Sequence, residues 1–185
     1  MPFRVFADAN ILVRARWRDI VLSLAEAGTC RVLWSDGVLD EVRRHLPEGM
    51  SPADRTALLD TMNAVFPEAR VAWPGAVDVT VQIEVNDKDR HVVAAALWGH
   101  ADVVLTDDRA LREQLEATGV LDVWSMPEFI GYTADANESA AREALIAMAR
   151  KRWLRDPSAS DDAVLARLSA YFTRNGWPLE AIRSG

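Results

Sequence analysis

The sequence predicts an α/β fold built on a mostly parallel sheet. Short apolar runs alternate with helix-like segments up to Trp124, the pattern of strands joined by helical crossovers. Half of the 185 residues are hydrophobic, enough to bury a sizeable core. Acidic residues also recur just past the ends of apolar runs: Asp8 closes Val5–Phe6–Ala7, and Asp107 and Asp108 follow Val103–Val104–Leu105–Thr106. Ligands of open α/β sheets gather at the C-terminal ends of the strands.

The elements follow in order. Residues 3–7 read as a buried strand. Ile11, Leu12, Ile20, Leu22 and Leu24 recur at helical spacing and predict a helix over 10–27, stopped by Gly28. Cys30–Trp34 is a second strand. Ser35 caps a helix carrying Val38, Leu39, Val42 and Leu46, and Pro47–Glu48–Gly49 breaks it. Ser51–Pro52 opens another helix through about Phe66, with proline in the first turn. Residues 69–73 suggest a strand, and 79–84 alternate before the polar turn Asn86–Asp87–Lys88. Asp89 to Trp98 is helical with Val92, Val93, Ala95 and Ala96 inside. Ala101–Leu105 is a strand, Arg109–Thr118 a helix stopped by Gly119, and Val120–Trp124 a last strand. Met126–Pro127–Glu128–Phe129 begins a helical turn.

Beyond about Asn137 the strands stop. Residues 138–155 and 160–172 read as two helices separated by Asp156–Pro157, and Asn175–Gly176–Trp177–Pro178 turns into a short final helix. The expected division is a sheet domain over 1–135 and a helical extension over 136–185. Residues 142–185 carry eight basic and five acidic side chains, an excess of three positive charges. The whole chain carries −7, which argues against broad non-specific binding of nucleic acid. Mapped along the chain, however, cations cluster at Arg14, Arg16 and Arg18 and at Arg150, Lys151, Arg152 and Arg155. The single Cys30 cannot form an intramolecular disulfide, which fits a reducing cytosol, and is expected to pack as a small hydrophobe. The first residues are too short and too soon charged for a signal peptide. No segment approaches 18 apolar residues, so neither a membrane span nor a membrane partner is expected.

Asp8, Glu41, Asp89 and Asp108 lie at strand ends or helix starts across the first 108 residues. Clustered carboxylates repel one another and need protons or a divalent cation. Hard oxygen donors suit Mg²⁺ or Mn²⁺, an ion most often used on phosphates. With three histidines and one cysteine in the chain, zinc is poorly served. Each acid also has a plainer explanation. Asp8, Asp89 and Asp108 are placed to cap helices, and Glu41, beside Arg43 and Arg44, suits a solvated salt-bridging face. Together, in sheet order, they favour a site. His91 reads as a surface or packing residue, and His45 and His100 as surface residues at element ends. Trp34, Trp73, Trp98 and Trp124 read as core. Trp153 and Trp177 are expected to pack between helices, with stacking on bases as the alternative.

The segments DANILV (8–13), LDEVRRHL (39–46), NDKDRHVVAAA (86–96) and HADVVLTDD (100–108) resemble a PIN-domain ribonuclease in order and spacing. The last pair is the more specific. The resemblance implies a three-layer α/β/α fold around a mostly parallel sheet, covering about the first 130 residues. It implies a metal-dependent endoribonuclease whose Mg²⁺ or Mn²⁺ is held by Asp8, Glu41, Asp89 and Asp108. Asn10 matches the asparagine of the first motif and Thr106 the threonine of the last. Asp107 stays open against Asp108 as the fourth acid, and Asp87 is placed at the rim. Members of the family often act as the VapC-type toxin of a toxin–antitoxin pair. A small antitoxin that sets a basic side chain among the acids, a homodimer and a cytoplasmic setting are therefore implied. Arg14, Arg16, Arg150, Lys151 and Arg152 are candidate RNA contacts, although the run at 150–155 is most simply a solvated helix face.

Other functions fit less well. A receiver domain needs a pair of acids after the first strand, and only Asp8 stands there. A haloacid-dehalogenase-type phosphatase needs a second aspartate where Asn10 stands. An RNA-processing nuclease outside a toxin pair, or a non-catalytic interaction module with the same fold, are the remaining alternatives. The intact acid set argues against the module.

Overall fold

A computed structural model describes residues 2–72 and 85–182. Trp73 and the alternating run 79–84 lie outside the described residues. The chain divides into two compact units, one comprising Arg4–Ala15 and Arg31–Trp124 and the other Met1–Phe3, Arg16–Cys30 and Ser125–Gly185.

The first unit holds a five-stranded, all-parallel sheet: β1 (Arg4–Ala7), β2 (Arg31–Ser35), β3 (Arg70–Val71), β4 (Val103–Leu105) and β5 (Asp122–Trp124), in the order β3-β2-β1-β4-β5. Central β1 sets Phe6 opposite Leu33 on one side and Val104 on the other. Val5, Phe6, Ala7, Val103, Val104 and Leu105 are all fully buried. Successive strand residues point to opposite faces, so protein covers both faces of the sheet. That is why these runs are continuously apolar rather than alternating. The chain winds from β1 out to β3, then returns to build β4 and β5 on the other side. The winding direction therefore reverses between β1 and β4, and the crevice of such a sheet opens there, beyond the strands' C-terminal ends.

Among the described residues five helices belong with this sheet: α1 (Ala9–Val13), α3 (Asp36–His45), α4 (Pro52–Val65), α5 (Arg90–Trp98) and α6 (Arg109–Thr118). Ser35 caps α3 by accepting from the Val38 N–H, and Ser51 caps α4 by accepting from Asp54. Gly119, at φ +61, ends α6 as the helix-stop reading expects. Trp34 is fully buried, donates from its indole to Asn63 at 3.0 Å and meets Phe66 edge-on.

In the second unit, α2 (Ala15–Glu26, from Arg16 onward) accompanies α7 (Met126–Ala136), α8 (Glu138–Met148) and α9 (Asp161–Asn175). A π-helical turn, Ala149–Leu154, follows α8, and a 3₁₀ turn spans Leu179–Ile182. Ser125 and Glu128 form a capping box at the start of α7, followed by Pro127 in its first turn. Trp177 is buried against Trp17, Tyr171 and Phe172, so it packs between helices. Cys30 is buried and packs as a hydrophobe, its thiol pushed up to about 12 by burial. No helix among the described residues is long and apolar enough to cross a membrane.

Several expectations need correction. The single helix over 10–27 is two helices, because Arg14 adopts an extended conformation (φ −77°, ψ 107°) and interrupts the ladder. Apolar spacing survives such a break, so periodicity does not register it. The helix expected to run to residue 155 widens into the π turn after Met148 and stops at Arg155, which adopts φ +56° before Pro157. The last two strands begin later than expected, at Val103 and Asp122. Trp98 is 50% exposed. It is the final residue of α5, off the stripe that buries Val92, Val93, Ala95 and Ala96.

Candidate metal centre

The reversal between β1 and β4 brings the first and last motifs together. The Asp8 N–H donates to the Leu105 carbonyl at 3.0 Å, and the Thr106 N–H donates to Trp124 at 3.0 Å. These backbone bonds extend the sheet one residue past its assigned strands and fix where the side chains start. Asp8 is 7% exposed. Its Oδ1 accepts from the Ala9 N–H at 2.7 Å, and its Oδ2 accepts from Asn10 Nδ2 at 2.6 Å and from the Thr106 hydroxyl at 2.7 Å. Thr106 is fully buried, and its Oγ1 also accepts from Asn10 Nδ2 and from the Asp108 N–H. Asn10 Oδ1 accepts from the Asp107 N–H at 3.1 Å. Asn10 and Thr106 thus lock the end of β1 to the turn after β4.

Burial pushes the Asp8 carboxyl up to about 6, against the pull of its Thr106 and Ala9 hydrogen bonds; the charges of Glu41 and Asp89 push it further in the same direction. Asp89 is also raised, first by burial and then by Asp108 and Glu41, while Lys88 and His91 oppose the shift. Asp8 therefore lies in the field of Glu41 and Asp89, and Asp89 in that of Asp108 and Glu41. Asp108 behaves differently. The Leu111 and Ala110 N–H groups at the start of α6 and the Lys88 ammonium hold its carboxyl below the usual range, against the opposing effect of its burial.

The plainer explanations account for some acids and not others. Asp8 does cap α1, and Asp108 does cap α6. Asp89 makes no capping bond. Its side chain is 14% exposed, and Oδ2 is buried without a hydrogen-bond partner among the described residues. The nearest cation, Lys88 Nζ, stands 3.7 Å away, beyond hydrogen-bond reach. Glu41 does not join the arginines beside it. Arg43 pairs with Asp40, and Arg44 donates to the Asp40 carbonyl. Glu41 Oε2 instead stands 3.7 Å from His91 Nε2. His91 is seated against Gly37, where a Cβ would lie 3.2 Å from the ring Nδ1.

Asp107 and Asp108 separate cleanly. Asp107 turns to Arg14, at 2.9 Å, whereas Asp108 stands among the coupled acids. Asp87 is 93% exposed and pairs with Arg90. Of the basic candidates, Arg14 lies in the sheet unit. Arg16, Arg150, Lys151 and Arg152 belong to the helical unit, where Arg150 pairs with Asp161 and Arg152 with Asp19.

Lys88 is the residue that sequence reasoning missed. It was placed in a polar turn, yet its ammonium stands 3.3 Å from Asp108 and 3.7 Å from Asp89. Its place directly before Asp89 was the available signal.

The donor set suits a hard cation: carboxylate oxygens, one of them buried and unsatisfied. The convergence is looser than a closed cage. Among the described residues no three of the His, Cys, Asp and Glu side chains stand close enough to hold an ion as they are. Lys88 already supplies a positive charge between Asp89 and Asp108.

Comparison with protein-family models, with curated proteins and with solved structures found no match to this chain.

Proposed function

We propose that the chain is a metal-dependent endoribonuclease of the PIN type, with its centre at Asp8, Glu41, Asp89 and Asp108. The observation that carries this reading is Asp89. Its buried Oδ2 has no hydrogen-bond partner among the described residues and lies in the field of Glu41 and Asp108. A structural carboxylate would have its buried oxygen hydrogen-bonded, because an unsatisfied buried acceptor costs stability; Lys88, 3.7 Å away, offsets the charge without bonding it.

Mg²⁺ or Mn²⁺ held by these four acids would supply positive charge against the phosphate and activate water for attack on the phosphodiester. Asn10 and Thr106 orient Asp8 through its Oδ2, and the start of α6 keeps Asp108 ionised. Asp8, with its carboxyl pushed up to about 6 by burial, is mostly ionised at neutral pH. Arg14 and Asp107 pair beside this group, and Arg14 is the basic candidate nearest to it along the chain.

A toxin role with a small antitoxin partner and a homodimer follows from the resemblance to VapC-type proteins. One feature favours it: the acids already accept an ammonium from Lys88, so a basic side chain from a partner has a chemically matched place. The same feature favours a second reading, a non-catalytic interaction module whose acids receive a cationic partner instead of a metal. Incubating total RNA with the purified protein and Mg²⁺ or Mn²⁺, with and without EDTA, separates the two. The nuclease reading expects cleavage that EDTA stops; the module expects none.

A further inference from the structure

Three elements of the helical unit bring cations together around a shared aromatic cluster. Arg16 of α2 lays its guanidinium 5.0 Å from the Trp153 ring and 5.0 Å from the Tyr171 ring. Arg174 of α9 sits 5.4 Å from the same Tyr171 ring. Trp153 meets Tyr171 edge-on at 4.9 Å, and its indole N–H donates to Asp19 at 3.2 Å. Asp19 also accepts from Arg152 at 3.1 Å. Arg152 is paired with Asp19, and exposed Lys151 precedes it in the π turn. Among the described residues Arg16, Lys151, Arg155 and Arg174 form no ion pair.

Holding guanidiniums together costs repulsion, and here stacking on aromatic faces fixes them in place. A π turn is a rare conformation that recurs at functional sites, and this one carries Lys151, Arg152 and Trp153. The chain as a whole is acidic, at −7, so a concentration of cations on one cluster is not a by-product of composition. The stacked guanidiniums of Arg16 and Arg174, which form no ion pair among the described residues, match the spaced phosphates of a flexible polyanion.

We propose that Arg16, Lys151, Arg152 and Arg174 form a binding surface for the backbone of single-stranded RNA. The choice of RNA over other polyanions rests on the nuclease reading; the surface itself rests on the geometry above. Recognition is by phosphate, because Trp153 and Tyr171 are engaged by Arg16 and by each other. Binding should therefore be nearly independent of sequence and steeply dependent on salt.

The test uses the full chain carrying Asp8→Asn, in EDTA, so that binding is read without cleavage. The probe is a fluorescently labelled poly-uridine oligonucleotide followed by anisotropy. Lys151→Gln with Arg174→Gln should weaken binding about ten-fold or more and lower the salt slope by about one to two. The pair Arg31→Gln with Arg109→Gln, in the other unit, removes the same charge and should change affinity less than about two-fold. Lys151→Glu alters an exposed side chain outside the aromatic cluster, and should weaken binding even if the Arg174 variant folds poorly. Equal losses in both pairs, no loss in the first, no binding by the parent, or equal competition by polyglutamate would each overturn the proposal. RNA binding through this surface by a protein that cuts no RNA would leave the surface standing and remove the nuclease reading.

Discussion

The Thr106 hydroxyl donates to Asp8 Oδ2 at 2.7 Å, joining residues 98 apart in sequence across the β1–β4 seam. The same oxygen accepts from Asn10 Nδ2 and from the Asp108 N–H. One buried hydroxyl thereby sets the position of the first acid and of the turn carrying the last. Thr106→Val keeps the shape and removes these bonds, leaving buried groups unsatisfied. The expected cost is about 1–3 kcal/mol of stability, read by chemical denaturation. Thr106→Ser should retain most of it.

Asp8 makes stability depend on pH with a definite sign. Its folded-state value, about 6, lies above the ordinary aspartate value of 3.8. The folded protein therefore binds this proton more tightly than the unfolded chain does. The associated stability is fully present below about pH 4 and is lost as pH rises through about 6, a swing of roughly 2–3 kcal/mol. Asp89, also raised, adds in the same direction. Denaturation midpoints between pH 8 and pH 5 should rise as pH falls, and Asp8→Asn should flatten that rise. A wild-type protein that loses stability steadily from pH 8 to pH 5 would contradict this account of the site.

Divalent binding should relieve the same repulsion. Mn²⁺ or Mg²⁺ is expected to raise the melting temperature, with the shift shrinking as pH drops below about 6, where protons compete for Asp8. Asp89→Asn should stabilise the metal-free protein and abolish the shift. If Ca²⁺, Mg²⁺ and Mn²⁺ all leave the melting temperature unchanged, the acids are not a cation site.

Lys88 would compete with a cation bound there. Its ammonium stands 3.3 Å from Asp108 and is well exposed, so its contribution is modest. Lys88→Met should tighten divalent binding by about two- to five-fold, measured by isothermal titration. A weakening would instead assign Lys88 to holding the site together.

Much of this architecture was legible in the sequence because local signals agreed. Ser35, Ser51, Gly119 and the Ser125–Glu128 box mark helix ends by short-range hydrogen bonds that residue type alone announces. The apolar runs at 5–7 and 103–105 announced strands buried on both faces. The break at Arg14 was not legible, since the apolar spacing runs through it and the pairing of Arg14 with Asp107 is a contact between distant segments. Of the candidate site, the sequence offered the acids and the elements that carry them, not their contacts. The proximity of Lys88 to Asp108, the turn of Glu41 toward His91 and the pairing of Asp107 with Arg14 depend on contacts between segments far apart in the chain. No local pattern encodes those. The burial of Asp89 Oδ2 without a partner is likewise a property of the assembled unit.

The most direct test of the central claim is cleavage of total RNA by the purified protein and by Asp89→Asn, each with Mn²⁺ and with EDTA. The account predicts cutting by the parent with Mn²⁺ only, and a loss of at least about a hundred-fold in the variant. Undiminished cutting by a folded Asp89→Asn protein, or cutting in EDTA, would contradict it.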